Sequence, residues 1–201
     1  MSNNTTERYK IAVVGATGAV GTTMLEILAE RDFPASEVVA LASARSAGSR
    51  VKFGEQSLKV HDLDSYDFKN VAIALFSAGG SVSRVHAPRA VAAGAIVVDN
   101  TSEFRYDADI PLVVSEVNPH AIAGFRKRGI IANPNCSTMQ MLVALAPLHR
   151  AAGIVRINVA TYQSVSGAGQ TGMEELGRQT ASLLNFQAIE AKKFPVQIAF
   201  N

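Results

Sequence analysis

The chain has 201 residues, of which 48% are hydrophobic and 18% are charged, a composition that supports a folded core and excludes global disorder. The formal net charge is +2 and the charges are spread along the chain, so we predict no nucleic-acid-binding face. No apolar run approaches the roughly 18 residues of a membrane span. We therefore predict a soluble globular protein, with neither a nucleic acid nor a membrane as its partner.

Cysteine usage and the start of the chain bear on the compartment. Cys136 is the only cysteine, so no disulfide can form within the chain. The start, Met1–Lys10, is polar and lacks the apolar stretch of a secretory signal peptide. Both features predict a reducing compartment, and we expect the protein in the cytoplasm.

Apolar, β-rich runs alternate with helical patterns over most of the chain. The patterns predict buried strands at Lys10–Gly15, Glu37–Ser43, Val71–Phe76, Ala95–Asp99 and Gly129–Ala132, and helices at Ala19–Glu30, Ser81–Ala93 and Ser137–Ala152. The polar stretch Arg45–Asp67 predicts short edge strands and turns, whereas Asn100–Arg128 predicts loops. Because strand, crossover helix and strand follow one another, we predict an α/β fold with a doubly wound parallel sheet.

The pattern changes in the last part of the chain. Val155–Val165 alternates apolar and polar residues, which predicts an antiparallel strand with one exposed face. Phe194–Asn201 predicts the beginning of another buried element. We place the domain change near Pro134, with a first domain over residues 8–134 and the beginning of a second over residues 135–201.

Residues 135–201 are few for an independent domain with its own core. We therefore expect the chain to be a fragment of a longer protein. The alternative is a small domain that ends on a strand.

Three glycines, Gly15, Gly18 and Gly21, lie between the first predicted strand and the first predicted helix. Glycine lets the backbone turn tightly and approach a pyrophosphate, whose charge is favoured by the N–H groups and the dipole of the helix N-terminus. The G-x-x-G-x-x-G spacing is a variant of the commoner fingerprint. We predict a dinucleotide-binding turn, and the alternative is a plain turn from strand to helix.

The end of the second predicted strand indicates which dinucleotide is bound. NAD enzymes usually place a carboxylate there, roughly 20 residues past the glycines, to bind the ribose hydroxyls. This chain has Ser43, Arg45 and Ser46 instead, with no acid. An arginine and two hydroxyls suit a 2′-phosphate, so we predict NADP; the alternative is a solvated loop.

A second glycine fingerprint, Gly167–Gly172, fits G-x-G-x-x-G literally and lies between a predicted strand and a helical pattern. The strand before it alternates, however, and is not predicted to be buried on both faces. We interpret this segment as a flexible loop that faces the reacting end of the cofactor. The alternative is a second dinucleotide site.

Cys136 comes just before the predicted helix that begins near Ser137. A helix N-terminus stabilises a thiolate, and the amides of Asn133 and Asn135 can donate hydrogen bonds to a developing oxyanion. These polar neighbours indicate a nucleophile, whereas a lone cysteine is more commonly a small buried apolar residue.

Four blocks of the sequence together resemble the aspartate-β-semialdehyde dehydrogenase family. They are GATGAVG from Gly15, DNTSEFR from Asp99, NPNCST from Asn133 and QSVSGAG from Gln163. The blocks occur in order at plausible separations, and the resemblance extends from about Tyr9 to the end of the chain. N-acetylglutamyl-phosphate reductases carry a related NPGCYPT-like block, in which a glycine stands where this chain has Asn135.

The resemblance implies a Rossmann-type NADP-binding domain followed by the start of an α+β catalytic and dimerisation domain, in a homodimer or homotetramer. It implies the reversible, phosphorylating oxidation of aspartate semialdehyde to aspartyl phosphate, with NADP as the cofactor. This reaction belongs to the biosynthesis of lysine, threonine and methionine.

The resemblance also assigns roles residue by residue. Cys136 would form the acyl-thioester, Arg105 would hold phosphate, and Gln163 and Asn135 would contact the substrate. The residues implied to contact NADP are Gly15, Thr17, Gly18, Ala19, Val20, Arg45, Ser46, Ser77, Ser166 and Gly167. In the alternative, Arg105 is a surface arginine, Gln163 is an outward strand residue, and Ser77 belongs to a mere turn.

Members of the resembled family use a downstream histidine as acid and base and a downstream arginine for the substrate carboxylate. Neither motif lies within the 201 residues. His61, His86, His120 and His149 match neither, so we assign them no catalytic role, and we predict no metal site. We therefore expect the chain alone to be inactive. Two other functions stay open: a reductase of N-acetylglutamyl phosphate, and a non-catalytic NADP-binding module.

Overall fold

The computed structural model describes residues 7–201, so most of the polar start, Met1–Lys10, lies outside the described residues. The chain divides into two compact units, the first ending at Val155 and the second comprising Arg156–Asn201. The domain boundary near Pro134 stays a prediction.

One sheet organises the first unit. Its strands are β1 (Tyr9–Val14), β2 (Ala35–Ala42), β3 (Arg50–Phe53), β4 (Gln56–Asp62), β5 (Ile73–Phe76), β6 (Ile96–Asp99) and β7 (Ile130–Ala132). They lie in the order β3-β4-β2-β1-β5-β6-β7, and every neighbouring pair is parallel except β3 with β4. The doubly wound sheet and its five predicted strands are thus confirmed, with small shifts at the ends.

The helices are α1 (Ala19–Glu30), α2 (Gly80–Ala92), α3 (Cys136–Ala152) and α4 (Gln170–Leu184), and the three predicted from the sequence are confirmed. β1 is buried on both faces: Val14 packs in one cluster with Ala87 of α2, and Val13 packs in another with Leu25 of α1. Helices therefore cover both faces of the central strand, which explains its continuous apolar run. Within residues 7–201, no helix combines the length and apolar character needed to cross a membrane.

The predicted strand Val155–Val165 is wrong. Residues 153–164 have no regular secondary structure, and a 3₁₀ turn covers Val165–Ala168. Val155 and Tyr162 are fully exposed, and Val159 is largely so. A strand requires a neighbour to pair its N–H and C=O groups, and no strand in the described residues pairs with this segment. The alternating pattern therefore remains without a buried face.

The expectation of a buried element at Phe194–Asn201 is also wrong. This segment is irregular, and Val196 and Phe200 are exposed, although Ala199 is buried. Its backbone is held by two side chains of α4, Glu175 and Gln179, instead of by a strand. Apolar composition predicted burial here, whereas polar side-chain contacts fix the conformation.

Candidate functional site

The carboxyl edge of the sheet brings together most of the site residues predicted in the first unit. Parallel strands end at the same edge, and a ligand crevice forms there where the strand order reverses. The order reverses at β1, because β2 and β4 lie on one side of it and β5, β6 and β7 lie on the other. The residues that follow these strands are Gly15 to Val20 after β1, Ser43 to Ser46 after β2, Ser77 after β5, Arg105 beyond β6, and Asn135 and Cys136 after β7.

The turn between β1 and α1 requires its glycines. Gly15 has a φ of 89°, a conformation that favours glycine, and its N–H donates to the Leu41 carbonyl at 2.9 Å. A Cβ on Gly15 would lie 2.8 Å from the Ser77 carbonyl oxygen, and one on Gly21 would lie 2.7 Å from the Gly15 carbonyl carbon. Side chains at these positions would push the turn out of shape.

The amino end of α1 is open to an anion. Gly18 is the N-cap and supplies no side-chain hydrogen bond, and the first turn carries no acid. Thr17, Ala19 and Val20 are exposed around it. Free N–H groups at a helix start, reached over glycine backbone, fit a pyrophosphate. The turn therefore fits the dinucleotide that the glycine spacing predicts.

Arg45 lies at the same edge, after β2. A 3₁₀ turn covers Ala44–Ser46, and the Ser46 N–H donates to the Ser43 carbonyl at 2.8 Å. Arg45 is exposed, and its guanidinium has no hydrogen-bond or ion-pair partner among residues 7–201. Because β2 pairs with β1 up to Leu41 and Val14, this turn neighbours the glycine turn.

Ser77 begins the turn between β5 and α2. Its N–H donates to the Val14 carbonyl at 2.9 Å, which joins this turn to the end of β1. Gly79 has a φ of 99° and caps α2 without a side-chain hydrogen bond. Ser77 is half-buried, and this turn lies beside the glycine turn at the carboxyl edge of the sheet.

Cys136 is the first residue of α3, and its thiol is exposed. Asn135 caps this helix: its Oδ1 accepts from the Ser137 N–H at 3.1 Å and from the Ser137 hydroxyl at 2.6 Å. The capping bonds fix the orientation of Asn135 and therefore the backbone that carries the thiol. The thiol lies at the amino end of a helix of 17 residues, where the backbone dipole favours a negative charge.

Arg105 connects the loops that follow β6 and β7. Its Nε donates to the Asn133 carbonyl at 2.8 Å, and an Nη donates to the Asn100 carbonyl at 3.2 Å. A guanidinium has five N–H donors, so donors remain for an anion after these two bonds. Since Asn133 precedes Cys136 by three residues, the half-buried guanidinium is held close to the chain that carries the thiol. Arg105 is not the free surface arginine of the alternative interpretation.

Asp99, the last residue of β6, is fully buried and has a role at the site that was not predicted. One of its oxygens accepts from the Ser83 hydroxyl at 2.8 Å, and the other accepts from the Thr101 hydroxyl at 2.7 Å. Its backbone carbonyl also accepts from the Asn133 N–H at 2.9 Å. Asp99 therefore fixes the start of the loop that leads to Arg105. An acid at the end of an apolar strand was the signal that could have identified it.

Glu103 holds the same loop against α2 and was also missed. Its two oxygens accept from the Arg84 guanidinium at 2.6 and 3.0 Å in a bidentate pair. The hydrogen bond from Arg84 lowers the pKa of Glu103 below its ordinary value, and the charge of Arg84 adds to this effect. This exposed pair helps to orient the loop that carries Arg105, without a large expected gain in stability.

A mostly apolar groove adjoins the Cys136 loop. Its lining, all within the first unit, includes Val98, Val113, Ile131 and Asn133, together with Met139 and Val143 of α3. The groove therefore ends beside the segment that Arg105 holds.

Gln163, Ser166 and Gly167 lie in the second unit. Gln163 is exposed, and its side-chain oxygen accepts from the Thr161 hydroxyl at 3.1 Å. Ser166 and Gly167 belong to the Val165–Ala168 turn just before α4. The sequence correctly predicted a glycine-rich segment that leads into a helix, whereas the outward strand proposed for Gln163 is absent.

The histidines and acids do not form a metal centre in the part of the chain that the structure describes. His86, to which the sequence assigned no catalytic role, is buried in α2; its Nδ1 lies 2.6 Å from an Arg89 Nη, and its Nε2 lies 3.3 Å from an Asp64 oxygen. These contacts place it on the flank of the sheet domain, where it packs a helix against a loop.

Comparison with known families identifies both parts of the chain. Residues 10–125 match the NAD-binding domain of semialdehyde dehydrogenases, and residues 145–201 match the dimerisation domain of semialdehyde dehydrogenases. The chain is 59% identical to aspartate-semialdehyde dehydrogenase 2 of Vibrio cholerae over 97% of its own length and 58% of that protein. It is 55% identical to the aspartate-semialdehyde dehydrogenase of Shewanella violacea, with the same coverage of 97% and 58%. The chain thus spans less than two thirds of the length of these relatives.

Solved structures give the same result. The crystal structure of aspartate semialdehyde dehydrogenase II of Vibrio cholerae complexed with ASA matches with a TM-score of 0.92 and 58% identity, over 97% of this chain and 58% of that one. The Candida albicans aspartate semialdehyde dehydrogenase with NADP matches with a TM-score of 0.62 and 28% identity, over 74% and 48%. The resemblance predicted from the four sequence blocks is confirmed.

The glycine turn and the strand order show a Rossmann-type NAD(P)-binding domain in the first unit. The family model for such a domain covers more than half of the chain, and a second model of the same family covers the rest of it from residue 145. The chain belongs to the semialdehyde dehydrogenase family.

Proposed function

We propose that this chain supplies the NADP site and the nucleophile of an enzyme that oxidises aspartate semialdehyde to aspartyl phosphate, reversibly and with uptake of phosphate. The observation that carries the proposal is the placement of the exposed Cys136 thiol beside a chain segment that Arg105 holds, at the edge of the sheet where the glycine turn opens. A nucleophile, an anion-binding group and a dinucleotide turn are the three parts that this reaction needs.

The chemistry of the proposed steps follows from these side chains. The Cys136 sulfur attacks the aldehyde carbon and forms a thiohemiacetal, whose oxygen lies near the amide donors of Asn133 and Asn135. NADP held at the turn between β1 and α1 would supply the acceptor for the hydride of this carbon. Loss of the hydride and of the hydroxyl proton leaves a thioester on Cys136.

Arg105 then acts on the second substrate. Its remaining N–H donors hold phosphate while a phosphate oxygen attacks the thioester carbon. The carbon–sulfur bond breaks, aspartyl phosphate forms, and the Cys136 thiolate is restored. Gln163 is proposed to contact the substrate, and Ser166 and Gly167 are proposed to face the reacting end of NADP.

NADP is the proposed cofactor because Arg45 lies where an NAD enzyme usually has a carboxylate. The guanidinium is exposed at the carboxyl edge, beside the glycine turn. The other proposed contacts are Gly15 to Val20 at the pyrophosphate, and Ser46 and Ser77 at the crevice walls. The match of residues 145–201 to a dimerisation domain supports a homodimer or homotetramer, and we retain the cytoplasm as the expected compartment.

The reaction is tested in the protein at the length of its relatives. We expect NADPH to form from aspartate semialdehyde only when phosphate is present, and Cys136→Ser to abolish this turnover while NADP still binds. Substantial turnover by Cys136→Ser would remove the nucleophile assignment. Faster reduction of N-acetylglutamyl phosphate than of aspartyl phosphate would favour the related reductase instead.

The cofactor is tested by replacing one arginine. Arg45→Ala should weaken NADP binding about ten-fold or more, the loss of a charged hydrogen bond, and should leave NAD binding nearly unchanged. Arg126→Ala is the matched control, because this exposed arginine precedes β7 and so lies at the opposite edge of the sheet. Equal losses for NADP and NAD would show that Arg45 does not contact the 2′-phosphate.

A further inference from the structure

Glu175 is a buried carboxylate of α4 that the proposed reaction does not use. Only 2% of the residue is exposed. One oxygen accepts from the Lys192 and Lys193 N–H groups at 3.0 and 2.6 Å, and the other accepts from the Phe194 N–H at 3.3 Å. Three consecutive backbone donors thus converge on one side chain.

All the polar groups that contact the Glu175 carboxylate are hydrogen-bond donors or cations. Besides the backbone groups, the Gln179 Nε2 donates to Oε1 at 3.3 Å, and an Arg178 nitrogen lies 3.5 Å from Oε2. The backbone N–H of Lys193 contributes most to lowering the pKa of Glu175 below its ordinary value. A glutamine here would turn its own NH₂ toward donors, so only an ionised carboxylate satisfies this environment.

Gln179, one helical turn further on, holds the rest of the irregular segment. Its Oε1 accepts from the Ile198 N–H at 2.9 Å and from the Ala199 N–H at 3.2 Å, and its Nε2 also donates to the Glu190 carbonyl at 3.2 Å. The two side chains therefore fix the segment from Glu190 to Ala199 along α4. Their spacing of four residues places them on the same face of the helix.

Phe194, one of the residues that Glu175 holds, reaches the turn before α4. A Cβ built on the buried Gly172 would lie 3.4 Å from the Phe194 Cζ, 3.1 Å from the Val165 carbonyl oxygen and 2.8 Å from the Ala168 Cβ. The Phe194 ring and the Val165–Ala168 turn thus both pack against Gly172, which has no side chain. A displacement of Phe194 therefore removes its ring from Gly172, the residue against which the turn also packs.

We propose that Glu175 is a positioning residue for the Val165–Ala168 turn, which it supports by fixing Lys192–Phe194 and so seating the Phe194 ring against Gly172. The inference rests on the proposed function, in which Ser166 and Gly167 of this turn face the reacting end of NADP. Glu175 acts through Phe194 and touches neither substrate nor cofactor. The carboxylate therefore sets the affinity for the nicotinamide half of NADP and leaves the adenosine half unaffected.

The first test needs no cofactor and is made on the full chain. Glu175→Gln should speed amide hydrogen exchange at Lys192–Phe194 and also at Val165–Ala168. Glu174→Gln is the matched control: it removes the same charge from the neighbouring, exposed position, whose side chain accepts a hydrogen bond from Gln170. Faster exchange at Lys192–Phe194 with unchanged exchange at Val165–Ala168 overturns the proposal, whatever the cofactor does.

The second test separates the two halves of the cofactor. Glu175→Gln should weaken NADPH binding about three- to ten-fold, the loss of one hydrogen bond, and shift the nicotinamide fluorescence of the bound form. The affinity for adenosine 2′,5′-bisphosphate, which lacks the nicotinamide, should stay unchanged, a split that general destabilisation would not produce. NADPH affinity and fluorescence equal to those of the wild type overturn the proposal.

A further variant keeps the proposal testable if Glu175→Gln does not fold. Phe194→Leu removes the ring atom that lies against Gly172. It leaves the Glu175 carboxylate and its backbone donors in place. It should speed exchange at Val165–Ala168 and leave exchange at Lys192 and Lys193 unchanged, and the absence of any effect on the turn overturns the proposal. A wild-type chain that binds no NADPH would contradict the proposed function instead, and the exchange results would still decide the role of Glu175.

Discussion

The two units hold their candidate site residues by different means. In the first unit, a parallel sheet sets the position of each loop at its carboxyl edge, since Gly15 and Ser77 both hydrogen-bond to neighbouring strand carbonyls. In the second unit, the side chains of Glu175 and Gln179 hold the segment after α4, and we propose that this segment supports the Val165–Ala168 turn. The strands of the first unit are joined by backbone hydrogen bonds along many residues. The segment after α4 is instead held by two side chains, Glu175 and Gln179.

This difference predicts where each unit is sensitive to substitution. A loop held by the backbone hydrogen bonds of neighbouring strands tolerates most changes of side chain. It loses its conformation where an added side chain would overlap backbone atoms. A segment fixed by a buried polar side chain fails when that side chain loses its acceptors, because the buried N–H groups then have no partner. The comparison can therefore be tested with one backbone change and one side-chain change.

Gly21→Ala should have the largest effect. The added Cβ would meet the Gly15 carbonyl carbon at 2.7 Å and the Ala16 Cα at 2.8 Å, and overpacking against backbone should lower the free energy of unfolding by about 3 kcal/mol and abolish NADP binding. Gly177→Ala is the control, since its Cβ position in α4 meets nothing within 4 Å beyond its chain neighbours and the adjacent backbone of its own helix. This second change should raise the free energy of unfolding by about 1 kcal/mol. Equal effects of the two substitutions would contradict the account of the glycine turn.

Gln179→Ala should have the next largest effect, confined to the second unit. The Ile198 and Ala199 N–H groups lose their acceptor, which should lower the free energy of unfolding by about 1–2 kcal/mol. Denaturant unfolding measures the loss, and amide exchange should locate it between residues 190 and 199. Gln170→Ala, at an exposed position of the same helix, should change stability by less than about 0.5 kcal/mol. If the two variants are equally stable, Gln179 does not hold this segment.

A pH effect from His86 should be the smallest and should appear only in the first unit. Burial lowers the pKa of His86 below 6.5, and the Arg89 charge adds to this effect, although Asp64 and Asp62 oppose it. Below pH 6.5 the unfolded chain therefore takes up a proton that the folded chain does not, so the free energy of unfolding falls as the pH falls. His86→Gln should reduce this slope in urea titrations at successive pH values. An unchanged slope would show that His86 is not the group responsible.

The sheet and its edge could be predicted from the sequence because the signals are local and repeated. The apolar run of β1, the glycines after it and the helix that follows all indicate one supersecondary unit, and the structure has it. Arg45 and Cys136 were predicted as site residues because they follow strands or begin helices at that edge. Position along the chain was sufficient to predict that these two residues lie at the carboxyl edge, and their roles stay predictions.

The contacts that fix the site could not be predicted in the same way. The hydrogen bonds from Arg105 to the Asn133 carbonyl and from Ser83 to Asp99 join residues far apart in the chain, and no local pattern reports them. The alternating Val155–Val165 run predicted a strand that the structure lacks, because alternation shows only that a segment suits a sheet with one exposed face. Whether another strand lies beside this segment depends on the rest of the fold, which a local pattern does not show.

The central claim is that the carboxyl edge of the first unit is the cofactor and phosphate site. The most direct measurement follows the amide and guanidinium NMR signals of the isotopically labelled chain as NADP, and then phosphate, is added. The account predicts that NADP shifts the signals of Thr17 to Val20, Arg45 and Ser77, and that phosphate shifts the Arg105 Nε signal. Shifts confined to the opposite edge, around Arg126 and Gly129, would contradict it.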